Sequence, residues 1–524
     1  MVRSQKKVDL TVTVRSTKKL RRIEEKLIMR KFLSVVLSAS IALSSVVTVT
    51  SVAFAETKFQ IKEDQTISAS LKSFTDIKAL FTDKTDKAVL ADIKKLYVDK
   101  FQTDVKRLDV NIKADDPKMD ANILLILDAA IKGDLPVGPA KEAIDKGLQW
   151  YYFFALRDLM SNQVRPALTK GDIAGATAAF DKVVQIYEGA LQANVVKRDT
   201  KYSLNMVPLL KTTIELIQKD IKDNNLNDFN FHRQILDKTL IKNYALATYT
   251  YAENVGLAAA ADQSKAITEG YFLFMPVYTY LKGGSPADAD FVKNAFASGD
   301  ASKIKQAEIG DALQRTMIGK VSEYLNQILV KQEAGDLQGA RGYVAEGTMF
   351  LASQEVFLGK EKFAAASVAA TKLNEAVDKS DAAATNAAIF DIVKFLVDKD
   401  GSSLKVNDKG YKVNGAAFTA ENAPFVNQES GRTLVPVRVI AQAINAQVEW
   451  VEATQTIVIT KDGKKTEIKA GSDQVVENGK VNEKVKLDQP VVLQNGSSFI
   501  PLRAVAELFS YGVFYQNGEI IILR

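Results

Sequence analysis

The sequence predicts a multidomain chain: an all-α helical bundle or array, followed by a small α+β module with two repeated strand–helix–hairpin units. Three observations predict it. Up to about residue 400, apolar residues recur at three and four positions along segments rich in Ala, Leu and Lys. Beyond that point, short alternating runs are separated by Asn-Gly and Asp-Gly pairs. Within this second part, TLVPVRVIAQAINAQVEW (433–450) returns as SFIPLRAVAELFSYGVFY (498–515), 65 residues later.

The chain opens on two segments that belong to neither domain. Arg30 and Lys31 precede an uncharged apolar stretch from Phe32 to about Val47, and Ala53-Phe54-Ala55 closes it as a small-x-small site. This is the layout of a secretory signal peptide over residues 29–55, cleaved after Ala55. Residues 1–28 have no apolar periodicity and read as a mis-assigned N-terminal extension, with Met29 the expected start. No later stretch is long and apolar enough to span a bilayer. The expected location is therefore extracellular, secreted or associated with the cell wall.

Removing the leader reverses the charge. The first 55 residues hold 11 Lys/Arg and 3 Asp/Glu, so 69 basic and 63 acidic residues become 58 and 60. The mature chain carries no basic excess, which removes the main support for a nucleic-acid partner. Cysteine is absent, so no disulfide framework exists and stability must come from buried core. There is one histidine, His232, expected at the surface or capping a helix start. These counts leave too few ligands for a zinc site of the Cys or His kind.

The helical domain is expected over 56–398. AVLADIKKLYVDKFQTDVKRL (88–108), DIAGATAAFDKVVQIYEGALQA (172–193), MVPLLKTTIELIQKDI (206–221) and KVSEYLNQILVKQEA (320–334) each carry one apolar stripe. Gly133-Asp134, Gly171-Asp172, Gly299-Asp300 and Gly335-Asp336 punctuate them. Glycine takes the left-handed conformation after one helix and aspartate caps the next, which predicts tight helical hairpins. The aromatic runs Trp150 to Phe154 and Tyr271 to Phe274 are expected in the core.

A second recurrence lies inside the helices: Glu188-Gly189, Glu269-Gly270 and Glu346-Gly347, with Lys146-Gly147 as an altered fourth copy. The packing reading has glycine allowing close helix approach while the glutamate bonds a neighbour. The chemical reading has Glu188, Glu269 and Glu346 converging on a hard, oxygen-ligated metal ion. A di-iron site is excluded, because it needs two Glu-x-x-His pairs.

Residues 399–403 are expected to be a proteolytically accessible linker, and 404–524 the α+β module. Asn414-Gly415, Asp462-Gly463, Asn478-Gly479, Asn495-Gly496 and Asn517-Gly518 predict tight hairpins. In the repeat, Pro436 pairs with Pro501, Arg438 with Arg503, Ala441 with Ala506 and Trp450 with Tyr515. Each proline ends a strand and begins a short amphipathic helix. The pattern of two apolar residues, Pro, an apolar residue, Arg and then Val-Ala or Ile-Ala resembles the copper amine oxidase N-terminal-like (stalk) domain. That domain is found on secreted and envelope proteins of Gram-positive bacteria. The resemblance covers about 120 of the 524 residues and implies a module without catalysis or cofactor. Arg438 and Arg503 are its signature residues, expected to bond nearby carbonyls or carboxylates and fix the helix starts.

The leading expectation is a non-catalytic, exported envelope protein. Its helical domain would recognise or scaffold, and its C-terminal module would attach to a cell-wall polymer or another envelope protein. The alternative is an extracellular cation- or small-ligand-binding protein using carboxylates inside the bundle. An amine oxidase needs three copper-binding histidines and a Tyr with an acidic residue and a second Tyr after it, and Asn243-Tyr244-Ala245-Leu246 lacks both. The purified protein given copper is therefore expected to develop no quinone absorbance and to release no peroxide from amines; either signal would overturn the non-oxidase reading.

Overall fold

The computed structural model describes residues 59–82, 85–503 and 508–524. The expected extension and signal peptide lie outside these residues. From Gln65 to Asp400 the chain is helical, with no strand among the described residues. Helices Val137–Leu159, Leu226–Leu257, Ala260–Lys282 and Gln306–Glu333 form the centre, and shorter helices pack around them. The aromatic runs lie in this core: Trp150, Tyr152, Phe153, Phe272 and Phe274 are buried, and Phe153 meets Tyr244 at 5.2 Å between ring centroids.

The Gly-Asp punctuation does what its chemistry predicts. Gly133, Gly171, Gly299 and Gly335 all have positive φ, where a side chain would be strained. The carboxylates of Asp172 and Asp336 accept from the Gly175 and Gly339 amides, and that of Asp300 accepts from the Ser302 amide. Asp134 differs, because Leu135 and Pro136 intervene before the next helix starts at Val137.

The C-terminal part is built of antiparallel strands. In chain order they are β1 (Gly401–Lys405), β2 (Gly410–Val413), β3 (Ala416–Thr419), β4 (Phe425–Val426), β5 (Thr433–Pro436), β6 (Gln447–Val451), β7 (Thr456–Lys461), β8 (Lys464–Lys469), β9 (Gln474–Glu477), β10 (Lys480–Lys486), β11 (Val492–Gln494), β12 (Ser497–Pro501), β13 (Gly512–Gln516) and β14 (Glu519–Leu523). They form three sheets, ordered β13-β14-β1-β2-β3, β10-β9-β8-β7-β6 and β11-β12-β5-β4. All five predicted turn dipeptides have positive φ at both residues, the type I′ geometry whose twist matches the flanking strands. One short helix, Val437–Ala443, follows Pro436. The corresponding segment after Pro501 includes 504–507, which lie outside the described residues, so the two-unit repeat remains a reading of the sequence.

Residues 399–403 are not a linker. The short helix Val397–Asp400 runs straight into β1, and β1 pairs on one side with β14 and on the other with β2. Glycine and serine stand here because the strand is crowded. A side chain on Gly401 would meet the Ile522 carbonyl oxygen at 2.8 Å, and Ser402 is fully buried, its hydroxyl donating to the Ala443 carbonyl.

The two parts share a continuous interior. Phe514, Ile521 and Leu523 belong to the core of the helical domain, whereas Ile520 and Ile522 belong to that of the β module. Ser322 donates to the Leu523 carbonyl at 3.1 Å, and Asn386 donates to the Tyr515 carbonyl at 2.9 Å. Arg524 reaches Asp400 at 3.0 Å and Asp288 at 3.7 Å. Leu523 is wholly buried, so Leu523→Ala is expected to cost about 3 kcal/mol, the usual range for emptying a core leucine. Because that side chain sits between the parts, the substitution should lower a single thermal transition seen by circular dichroism. Two transitions, only one of them shifted, would contradict the shared core.

Candidate functional site

The three glutamates of the recurring Glu-Gly pairs are not brought together. Glu188 accepts the Phe59 amide at 3.0 Å. It acts with Asp181 and Gln185, which accept the Lys62 and Asp64 amides, so one helical face holds an extended backbone segment. Glu269 accepts from the Tyr251 hydroxyl and lies 3.1 Å from Lys146. Glu346 accepts from Gln234 at 2.9 Å and lies 3.6 Å from Lys238. Among the described residues no three Asp, Glu or His side chains are grouped to hold a metal ion. The expected site fails for a physical reason: each carboxylate, buried Glu269 and half-buried Glu188 and Glu346 alike, has found donors of its own.

The glycines of these pairs serve close approach. A β-carbon on Gly270 would fall 2.2 Å from the Phe296 ring, and one on Gly147 would fall 2.6 Å from Ile123. Lys146 of the altered copy supplies the cation for Glu269. It sits 2.5 Å from Asp145 and 3.7 Å from Glu142 as well. A second buried set joins Arg157 and Lys238 to Asp237, at 2.9 and 2.8 Å. His232 is buried, not at the surface, and its Nδ1 lies 2.6 Å from Asp220 Oδ2. Tyr244 is likewise a core residue, donating to the Gln149 carbonyl. These charges hold helices together.

A different site is open. On the C-terminal module the edges of all three sheets meet around a groove of about 610 Å³. β3 contributes Thr419, β6 contributes Val448, Glu449 and Trp450, and β11 contributes Leu493 and Gln494. The helix after Pro436 contributes Arg438 and Gln442 to one wall, and Ile457 lies deep in the floor. Pro436 and Pro501 are buried, pairing across β5 and β12 with Phe499 and Leu434. Arg438 does not cap its helix; its side chain is 80% exposed and touches Glu421 only loosely, at 3.7 Å. Arg503 is exposed too, and residues 504–507 after it are outside the described residues. Polar groups in the groove are held in place by neighbours: Asn422 donates to Ser497 at 2.8 Å, Gln442 accepts from Tyr411 at 2.5 Å, and the Trp450 indole donates to Glu452. Trp450 is 36% exposed, and its indole is positioned by that bond.

Residues 412–523 match the family model of the copper amine oxidase N-terminal domain. The match spans 112 of the 524 residues and contains most of the groove. No curated protein and no solved structure matches the chain. Sequence reasoning found this domain, its Arg438 and the Asn495-Gly496 turn, but missed the groove residues Glu421, Asn422, Gln442 and Glu449. The available signal was Trp450, a large aromatic near the end of a short edge strand.

The buried charges make one pH prediction. Burial, and then the charge of Glu269, push the Glu142 carboxyl up to about 7 from 4.5, against the pull of Lys146. An acid whose folded value lies above its unfolded one binds its proton more tightly when folded. Stability from Glu142 is thus fully present below about 4.5 and is lost as pH rises through about 7. Glu142→Gln should therefore stabilise the protein at pH 8, by about 1–3 kcal/mol, and flatten the loss between about pH 5 and 7. Denaturant midpoints across that range would test it, and an unchanged slope would rule out the assignment.

Proposed function

We propose that this chain is an exported, non-catalytic envelope protein, in which a rigid helical scaffold carries a stalk-type domain that attaches it to its surroundings. The observation that supports this most is the contrast between the two parts. In the helical domain the buried ionisable side chains described above are committed to one another. On the stalk-type domain, exposed and partly fixed polar groups and a tryptophan surround an open groove. Accessory domains of this kind act by binding, since open, half-polar grooves offer contacts without a desolvated reacting centre.

Export is supported by the charged, apolar and small-residue sequence of 29–55. No helix among the described residues is long and apolar enough to cross a membrane, which fits attachment through surface contacts. The shared core also suits a stalk: force or torque on the groove passes to the helical domain through β14 and β1 without an intervening hinge.

Expression in a bacterial host followed by fractionation tests the reading. The chain should be recovered from the envelope or the medium with Glu56 at its N-terminus. Quantitative retention in the cytoplasm, with residues 29–55 intact, would overturn it.

A further inference from the structure

The groove on the stalk-type domain has a chemistry that selects among ligands. Three of its lining residues are glutamates, Glu421, Glu449 and Glu452, and a single arginine, Arg438, opposes them. A polyanion would meet like charge along the walls. An apolar ligand would strip water from carboxylates and amides without replacing their hydrogen bonds. What remains is a neutral polymer with one apolar face and many hydroxyls.

We propose that this groove binds a neutral glycan chain, with one pyranose ring stacked on the Trp450 indole. The axial C–H face of a pyranose is apolar and matches the area of an indole, while its rim carries hydroxyls that both donate and accept. The rim groups are present: Gln442, whose carbonyl oxygen is engaged by Tyr411, keeps its amide hydrogens, and Asn422, whose amide is engaged by Ser497, keeps its carbonyl oxygen. Glu449 and Arg438 are exposed and bring an acceptor and a planar set of donors to the groove. Because the Trp450 indole N–H is bonded to Glu452, the ring has little rotamer entropy left to lose on stacking. The groove also has room for more than one sugar, since its volume of about 610 Å³ falls in the range that holds drug-sized ligands.

This rests on the reading of the C-terminal domain as the attachment module, and names what it attaches to. The chain offers a built-in probe. It has two tryptophans, Trp150, buried in the helical core, and Trp450 in the groove. Acrylamide should therefore quench Trp450 selectively in the Glu56–Arg524 chain. Titration with the hexasaccharides of β-1,4-linked N-acetylglucosamine and β-1,4-linked glucose should protect that emission with at least one of them. Trp450→Ala should weaken the same binding, followed by calorimetry, at least tenfold. The variant should still fold with the same circular dichroism spectrum, because the side chain lies on an edge strand outside both cores. Trp450→Phe should retain part of the affinity, as an aromatic face remains.

Binding that survives Trp450→Ala undiminished would overturn the proposal. So would indifference to both sugars up to millimolar concentration, or protection by hexalysine alone, the result expected if a peptide strand adds to β6. The outcome is separable from that of fractionation. A chain found on the envelope that ignores both sugars keeps the attachment reading and loses this one; a chain that binds sugar yet stays in the cytoplasm does the reverse.

Discussion

The strand β14 carries more of this structure than any other element. Its residues alternate between two interiors: Ile520 and Ile522 point into the β module, and Ile521 and Leu523 into the helical domain. A strand with water on one face would read apolar, polar, apolar. This one reads Glu-Ile-Ile-Ile-Leu, because both faces are buried. A slip of one residue in its pairing would exchange the two sets of side chains and disturb both cores. Its register is fixed twice, against β13 by the Asn517-Gly518 turn and against β1 by Gly401 facing Leu523. The helical domain thus ends in a strand that the last strand of the chain must close.

Such sharing explains which parts of the fold were legible in the sequence. The helices announced themselves by stripe and cap, and the hairpins by five turn dipeptides, because these signals are local and each has one conformational meaning. The linker was misread because Gly401, Ser402 and Ser403 are small and polar, the composition of a flexible joint. Their smallness instead answers a tertiary demand, the nearness of Ile522 and the Ala443 carbonyl, which no local pattern records. His232 was misread in the same way. Its place near a helix start suggested solvent, but the partner Asp220 lies on the preceding helix, Met206–Lys222, and the pair closes inside the bundle.

Of the two readings that the Glu-Gly recurrence allows, the structure follows packing and not the metal site. Glycine brings two helices close, and proximity buries whatever polar side chain precedes it. That glutamate then needs a donor on the facing surface. For Glu269 the donors are Tyr251 and Lys146; for Glu346 they are Gln234 and Lys238. Buried ion pairs of this type add little net stability over apolar residues, but they penalise any packing in which one partner is left alone. In a domain whose helices all present similar Ala- and Leu-rich stripes, that penalty helps select one arrangement among many. The recurrence is a device of specificity, and the search for a ligand moves to the other domain.

There, the sequence pairing of Trp450 with Tyr515 gives the last step. Tyr515 lies on β13, where Phe514 enters the helical core and Asn386 bonds the backbone at Tyr515 and the side chain of Gln516. That edge of the module is occupied by the chain's own helix Ala382–Val393. Trp450 lies on β6, likewise at the edge of its sheet, and among the described residues the helix packed on that strand is the module's own Val437–Ala443. The same short pattern therefore meets two environments, one covered by the scaffold and one facing solvent beside polar side chains held by their neighbours. An exposed indole at an unprotected edge strand invites non-specific association, and charged residues are the usual protection. Glu449 and Glu452 flank Trp450 in sequence, so the ring is guarded against strand pairing while its face stays available to a ligand that needs no edge hydrogen bonds.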